Sequence, residues 1–134
     1  MMPQTYSLTL KSKFQEAEKV PNFIDKIDSE LNLDEDLKNR MMLALSEAAT
    51  NAIVHGNKED IDKQVFIDVQ IDDDSVTIKI KDQGKGFDPA DVPSPVEDEN
   101  LLNPGGRGLY LMEEFADKVV YNRGGTLVIL RFER

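Results

Sequence analysis

The chain has 134 residues, of which 40% are hydrophobic and 31% charged, with a formal net charge of −10 and no cysteine. This is the length of one ordinary domain, able to bury a core without staples, and the missing cysteine excludes disulfides, thiolate catalysis and cysteine-ligated zinc. Nucleic-acid binders present a basic face, whereas the 16 Lys and Arg residues here are scattered, so no nucleic acid is expected as a partner.

The N-terminal stretch "MMPQTYSLTLKSKF" has no apolar signal core. No run approaches the roughly 18 apolar residues of a membrane span. A cytoplasmic protein with no membrane partner is expected. "TYSLTLKS" (5–12) alternates apolar and polar residues and predicts a first strand. Residues 14–31 carry Phe14, Ala17, Val20, Phe23, Ile24, Ile27 and Leu31 at helical spacing, with Pro21 as a point of kinking or interruption. A second, central helix starts near Asp34, with acidic residues in its first turn and Gly56 close to its end. "KQVFIDVQID" (63–72) and "SVTIKIKDQG" (75–84) alternate as two strands of a hairpin. The glycine- and proline-rich stretch 84–108 is too long for an ordinary connection, and loops of this length are functional lids or disordered. "RGLYLMEEFADKV" (107–119) is helical in its periodicity, and "KVVYNRGGTLVILRFER" predicts a second hairpin turning at Gly124-Gly125. The order predicts an α+β, two-layer sandwich in one domain (1–134), with helices on one face of a mixed, largely antiparallel sheet.

The central helix poses a chemical question. In "LSEAATNAIVHGN" (45–57), Glu47, Asn51 and His55 fall at i, i+4 and i+8 among alanines and aliphatics. On a helical wheel the helix is apolar almost all round, which predicts burial. A buried carboxylate without partners is costly. Glu47 and Asn51 must therefore face a polar cavity, a metal or a structural hydrogen-bond network. His55 lies near the helix C-terminus, where a cationic ring suits the dipole, and a structural role is the expectation for it.

Two glycine clusters follow. "DQGKGF" (82–87) ends a strand with Asp82, Gly84 and Gly86, glycines that permit close backbone approach to a ligand. "GGRGL" (105–109) opens a helix, where free N–H groups and the positive dipole end suit phosphate. Each is weak alone. All three in this order within one domain are much more specific.

The set "SEAATNAIVHGN", "DQGKGF", "GGRGLYLM" and "RGGTLVIL" resembles the four boxes of the Bergerat-fold ATPases (gyrase, Hsp90, histidine kinase and MutL type). The small size and the detail "LSEAATNAIVHGN" look most like the bacterial anti-sigma factor/serine-protein kinases of the RsbW kind. The resemblance covers nearly the whole chain. It implies a Bergerat fold with an ATP lid over about 88–105, and ATP and Mg²⁺ as cofactors. By resemblance, Asn51 would coordinate Mg²⁺ and Glu47 would be the general base. Asp82 would accept a hydrogen bond from the adenine amino group, with Gly84 and Gly86 letting the backbone approach base and sugar. Gly106 and Gly108 would cradle phosphate, and Thr126 would support the adenine end. Arg107 and Lys85 are the cations expected near the phosphates. Physically, an amide offers a neutral oxygen to a hard cation, a carboxylate one turn away can act as base, and the metal offsets polyphosphate repulsion in an acidic protein.

The resemblance implies a serine/threonine kinase that phosphorylates a STAS-domain antagonist, binds a sigma factor and tends to form a homodimer. The lid departs from lysine-bearing lids, since 88–105 contains no lysine; transfer would then be slow, or depend on Arg107 and a bound partner. Two other readings stand beside this one: a nucleotide-gated protein-binding module without significant catalysis, and a stand-alone ATPase subunit.

Overall fold

The computed structural model describes residues 3–84, 112–122 and 126–134. The expected lid, the start of the 107–119 helix and the Gly124-Gly125 turn lie outside them.

The first strand, β1 (Gln4–Lys11), pairs with β2 (Gln64–Ile71), and β2 with β3 (Ser75–Lys81). Alternation in β2 buries Val65, Val69 and Ile71 together with Ile67, while Asp68 and Gln70 are exposed. The opposing strand answers residue for residue: Ile71 faces Val76, Val69 faces Ile78 and Ile67 faces Ile80. A one-residue slip would turn all these side chains to solvent, so burial fixes the register. The turn between the strands is held by Asp72, whose Oδ1 accepts the backbone N–H groups of Asp74 (2.9 Å) and Ser75 (2.8 Å).

The sheet is completed by β5 (Leu127–Glu133) beside β3, and β4 (Lys118–Asn122) at the edge, giving the order β1-β2-β3-β5-β4. All four pairings are antiparallel. The largely antiparallel sheet expected from sequence is found, with no parallel pair among the described residues.

Helix α1 (Lys19–Leu31) is preceded by a separate 3-10 turn, Phe14–Glu18. Pro21 does not kink α1. It sits in the first turn, where its missing N–H has no intrahelical partner to lose. Helix α2 (Glu35–Asn51) is capped by Asp34, whose carboxylate accepts the N–H of Leu37 at 3.2 Å, and Glu35 and Asp36 meet the positive end of the dipole. Lys38 on α2 reaches Asp25 (3.0 Å) and Asp28 (3.3 Å) on α1, tying the two helices.

Both helices contribute to one apolar core with the sheet. Val20, Ile24 and Ile27 of α1 and Met41, Ala44, Leu45 and Ala49 of α2 are fully buried with Ile71, Ile78 and Phe132 of the sheet. Each fully buried aliphatic side chain contributes about 1.5–3 kcal/mol. Burial of α2 all round is corrected: the buried side is Leu37, Met41, Ala44, Leu45, Ala48 and Ala49, while Leu43 is 48% exposed. A two-layer packing covers one side of a helix and leaves the other to something else.

Candidate functional site

The open side of α2 carries the polar stripe. Glu47 and Asn51 are both half-buried there, and His55 is exposed one turn on. Neither Glu47 nor Asn51 makes a side-chain hydrogen bond among the described residues. The structural network considered for them is not formed there. Beyond Asn51 the helix widens into a π-helical turn, Ala52–Gly56. It is closed by Asn57 N–H to Ala52 O and Glu59 N–H to Ile53 O, both 2.8 Å. Such turns occur often at functional sites. The chain then leaves through Lys58 (φ 54°) and Glu59 (φ 56°), two consecutive left-handed residues.

The end of this helix is pressed against the end of β3. Asp82 follows β3 directly and is only 6% exposed. Its Oδ1 accepts the N–H of Gly84 at 2.8 Å, and its own N–H donates to the carbonyl of Thr126 at 2.9 Å. Burial pushes the Asp82 carboxyl above its usual range, opposed by the Gly84 N–H and by the charge of Lys63. The fit requires glycine on both sides. A Cβ on Gly56 would lie 2.5 Å from Oδ2 of Asp82, and a Cβ on Gly84 would overlap the carbonyl oxygen of Gly56. The two segments therefore meet backbone to backbone, with the carboxylate between them.

Asn57 closes the arrangement, and sequence reasoning missed it. Its side chain is 1% exposed. Nδ2 donates to Ser12 Oγ (2.8 Å) and to the carbonyl of Gln64 (3.0 Å), and Oδ1 accepts the backbone N–H of Gln83 (2.7 Å). Ser12 Oγ in turn donates to the carbonyl of Lys63 at 2.7 Å. The Gln83 side chain returns to the same place, its Oε1 accepting the N–H of Gln64 at 2.7 Å. The one available signal was a polar residue directly after the helix-stopping Gly56.

The structure thus brings Asp82 and Gly84 against the end of the helix bearing Glu47 and Asn51, and places the Thr126 backbone beside Asp82. Gly86, Gly106, Arg107, Gly108 and Lys85 lie outside the described residues. Among the described residues no cluster of His, Asp and Glu is arranged to hold a metal by itself. Asn51, whose side-chain oxygen takes no hydrogen bond from a described residue, fits a hard cation whose other ligands would come from water and a bound phosphate. Asp82, buried with one oxygen taking no hydrogen bond from a described residue, fits a ligand that brings an N–H donor.

Comparison with known proteins places the chain in a family. The histidine kinase-like ATPase domain family matches residues 12–132. An anti-sigma F factor of Clostridium botulinum (strain Eklund 17B / Type B) is 37% identical over 102 residues, covering 73% of this chain and 67% of the relative. The serine-protein kinase RsbW of Bacillus subtilis (strain 168) is 39% identical over 103 residues, covering 72% of this chain and 62% of that protein. An anti-sigma F factor of Heyndrickxia coagulans is 34% identical over 121 residues, covering 84% and 78%. The crystal structure of the RsbU and RsbW domains of Rv1364c from Mycobacterium tuberculosis shares the fold, with a TM-score of 0.67 at 19% identity over 98% of this chain and 33% of that one.

Proposed function

Since the chain belongs to the histidine kinase-like ATPase family and resembles its anti-sigma F factor and RsbW members, we propose that it is an ATP- and Mg²⁺-dependent serine/threonine protein kinase that phosphorylates a STAS-domain antagonist and binds a sigma factor. The observation that carries this reading is the pairing of a buried acceptor, Asp82, with a helix whose Glu47 and Asn51 make no side-chain hydrogen bond among the described residues. The nucleotide spans the two.

In this reading Asp82 accepts the adenine amino N–H, and Gly84 lets the base approach the backbone. Thr126 fixes Asp82 from behind through the hydrogen bond to its N–H. Asn51 would hold Mg²⁺, which offsets phosphate charge when bound. By the same resemblance Gly86 would let the backbone approach the sugar, Gly106 and Gly108 would cradle phosphate, and Arg107 would supply a cation. Glu47 accepts the proton of the acceptor hydroxyl as its oxygen bonds to the γ-phosphorus. The bond from that phosphorus to the β–γ bridging oxygen breaks, and ADP leaves.

The test is calorimetric titration with ATP, with and without Mg²⁺, on the protein and on Asn51→Ala. Binding that needs both Mg²⁺ and Asn51 supports the site, and equal binding in all four titrations refutes it. The lysine-free lid favours a second reading, in which ATP or ADP gates partner affinity with little transfer. Partner binding that is the same with and without nucleotide would sink that reading. The reading includes a homodimer, as the resemblance implies; among the described residues β1 is an edge strand whose outer side pairs with no other strand. Among the described residues no helix is long and apolar enough to cross a membrane.

A further inference from the structure

Asn57 lies outside the residues to which the nucleotide reading gives a role, yet its side chain makes three internal hydrogen bonds beside them. Its three hydrogen bonds reach three separate chain segments: the end of β1 at Ser12, the start of β2 at Gln64, and Gln83 between Asp82 and Gly84. The orientation of the amide is unambiguous, since a backbone N–H can only donate and a carbonyl can only accept. The bond to Gln83 matters most for geometry. Gln83 is the residue between the buried carboxylate and the glycine whose N–H that carboxylate accepts. Asn57 belongs to the other side of the site, one residue beyond the turn that continues α2.

We propose that Asn57 is a positioning residue: through the Oδ1 hold on the Gln83 N–H it sets the Asp82–Gly84 turn against the end of the helix that carries Glu47 and Asn51. The effect on nucleotide rests on the reading above; the effect on the turn does not. A ligand that spans both elements needs their separation fixed before it binds, since a site held loosely must be ordered at the expense of affinity. The exposed Gln83 side chain reinforces the hold by accepting the Gln64 N–H. The Nδ2 bonds to Gln64 and Ser12 anchor the amide itself.

Two substitutions separate positioning from stability. Asn57→Ala removes all three bonds. Asn57→Asp keeps an acceptor for the Gln83 N–H and loses the donors to Ser12 and Gln64. Both lower the melting temperature, because both disturb a buried polar group. Hydrogen exchange of the Gln83 and Gly84 amides in the nucleotide-free protein is the first readout. Exchange is expected to quicken about tenfold in Asn57→Ala and to stay within about threefold of the parent in Asn57→Asp. MgATP titration is the second: affinity is expected to fall about tenfold in Asn57→Ala and about threefold or less in Asn57→Asp. Exchange that follows the melting temperatures of the two variants, or does not change in either, overturns the proposal. If the parent protein binds no MgATP, the kinase reading fails while the exchange comparison still decides the role of Asn57. Should both variants fail to fold, Gln83→Ala, an exposed truncation, is expected to quicken Gln64 amide exchange and weaken MgATP about threefold; no change in either overturns the proposal.

Discussion

The two ends of the candidate site are built on opposite principles. At the β3 end, Asp82 is buried, its carboxylate holds the Gly84 N–H, its backbone holds Thr126, and two glycines close on it from either side. At the α2 end, Glu47 and Asn51 stand half-buried with no side-chain hydrogen bond among the described residues. The first end is finished before any ligand arrives. The second leaves its polar atoms for chemistry that the protein does not itself complete. In the proposed reading, rigid recognition at one end beside polar groups that no described residue engages at the other would let a site bind by shape and act only when its reactants are present.

The contrast predicts that function and stability separate cleanly by end. Glu47→Ala is expected to lower the phosphotransfer rate by a factor of about 10²–10⁴ while leaving nucleotide affinity nearly unchanged. Its melting temperature should hardly move, because a half-buried side chain with no partner is usually worth no more than about 0.5 kcal/mol. A transfer assay on a phospho-acceptor, run beside thermal unfolding, checks both halves. Undiminished transfer would remove Glu47 from the chemistry.

At the other end the same size of change should strike folding itself. Gly84→Ala adds one methyl group where the Gly56 carbonyl already stands. Backbone must move to admit it, for about 3 kcal/mol of stability, and nucleotide binding should go with it. Denaturant unfolding measures the loss. A Gly84→Ala protein as stable as the parent would mean that the two segments can part freely, and the contrast between the ends would collapse.

These two ends also differed in how much their sequence disclosed. Glu47 and Asn51 share a stripe because 3.6 residues per turn puts i and i+4 together, and that periodicity is local. The hairpin β2–β3, the Asp34 cap and the strand that runs up to Asp82 are local too, and all were legible. Asn57 was not. Its partners lie 45, 7 and 26 residues away, so no window of sequence holds the pattern. Taken locally it is one more small polar residue after a helix-stopping glycine. The 3-10 turn before α1 was missed for a related reason: apolar spacing continues through residues 14–31, and only Pro21 marks where the helix can begin. The one-sided burial of α2 was hidden because alanines look apolar on every side of a wheel, whether or not anything packs there.

Asp82 gives a subtler prediction. Burial raises its carboxyl above the unfolded value. The linked stability is therefore fully present below the unfolded value, about 3.9, and is lost as pH rises through the folded value. At neutral pH the ionised carboxylate is a cost that the ligand-free protein bears. Asp82→Asn should then raise the melting temperature at pH 7, with the gain shrinking as pH falls toward about 4, while adenine-nucleotide binding weakens at least about tenfold. Thermal scans of both proteins across that range test the sign. A variant that is less stable than the parent at pH 7 would show that the Gly84 N–H and Lys63 outweigh burial.

The smallest effect bears on what holds the two ends together. Lys58 and Glu59 adopt left-handed torsions directly after Asn57, a conformation that costs a side-chain-bearing residue about 1–2 kcal/mol. Part of that is recovered when glycine replaces lysine, because glycine also loses more freedom on folding. Lys58→Gly is expected to stabilise the protein by about 0.5 kcal/mol and to leave MgATP affinity where it was. The reason is geometric: the path of the chain after Asn57 is set by that turn, whereas the placement of Asp82 is set by the Asn57 side chain reaching Gln83. Relaxing the first should not loosen the second. A Lys58→Gly protein that is more stable but binds nucleotide more weakly would mean that the strained turn, as well as the amide, fixes the distance between the open end of the site and the closed one.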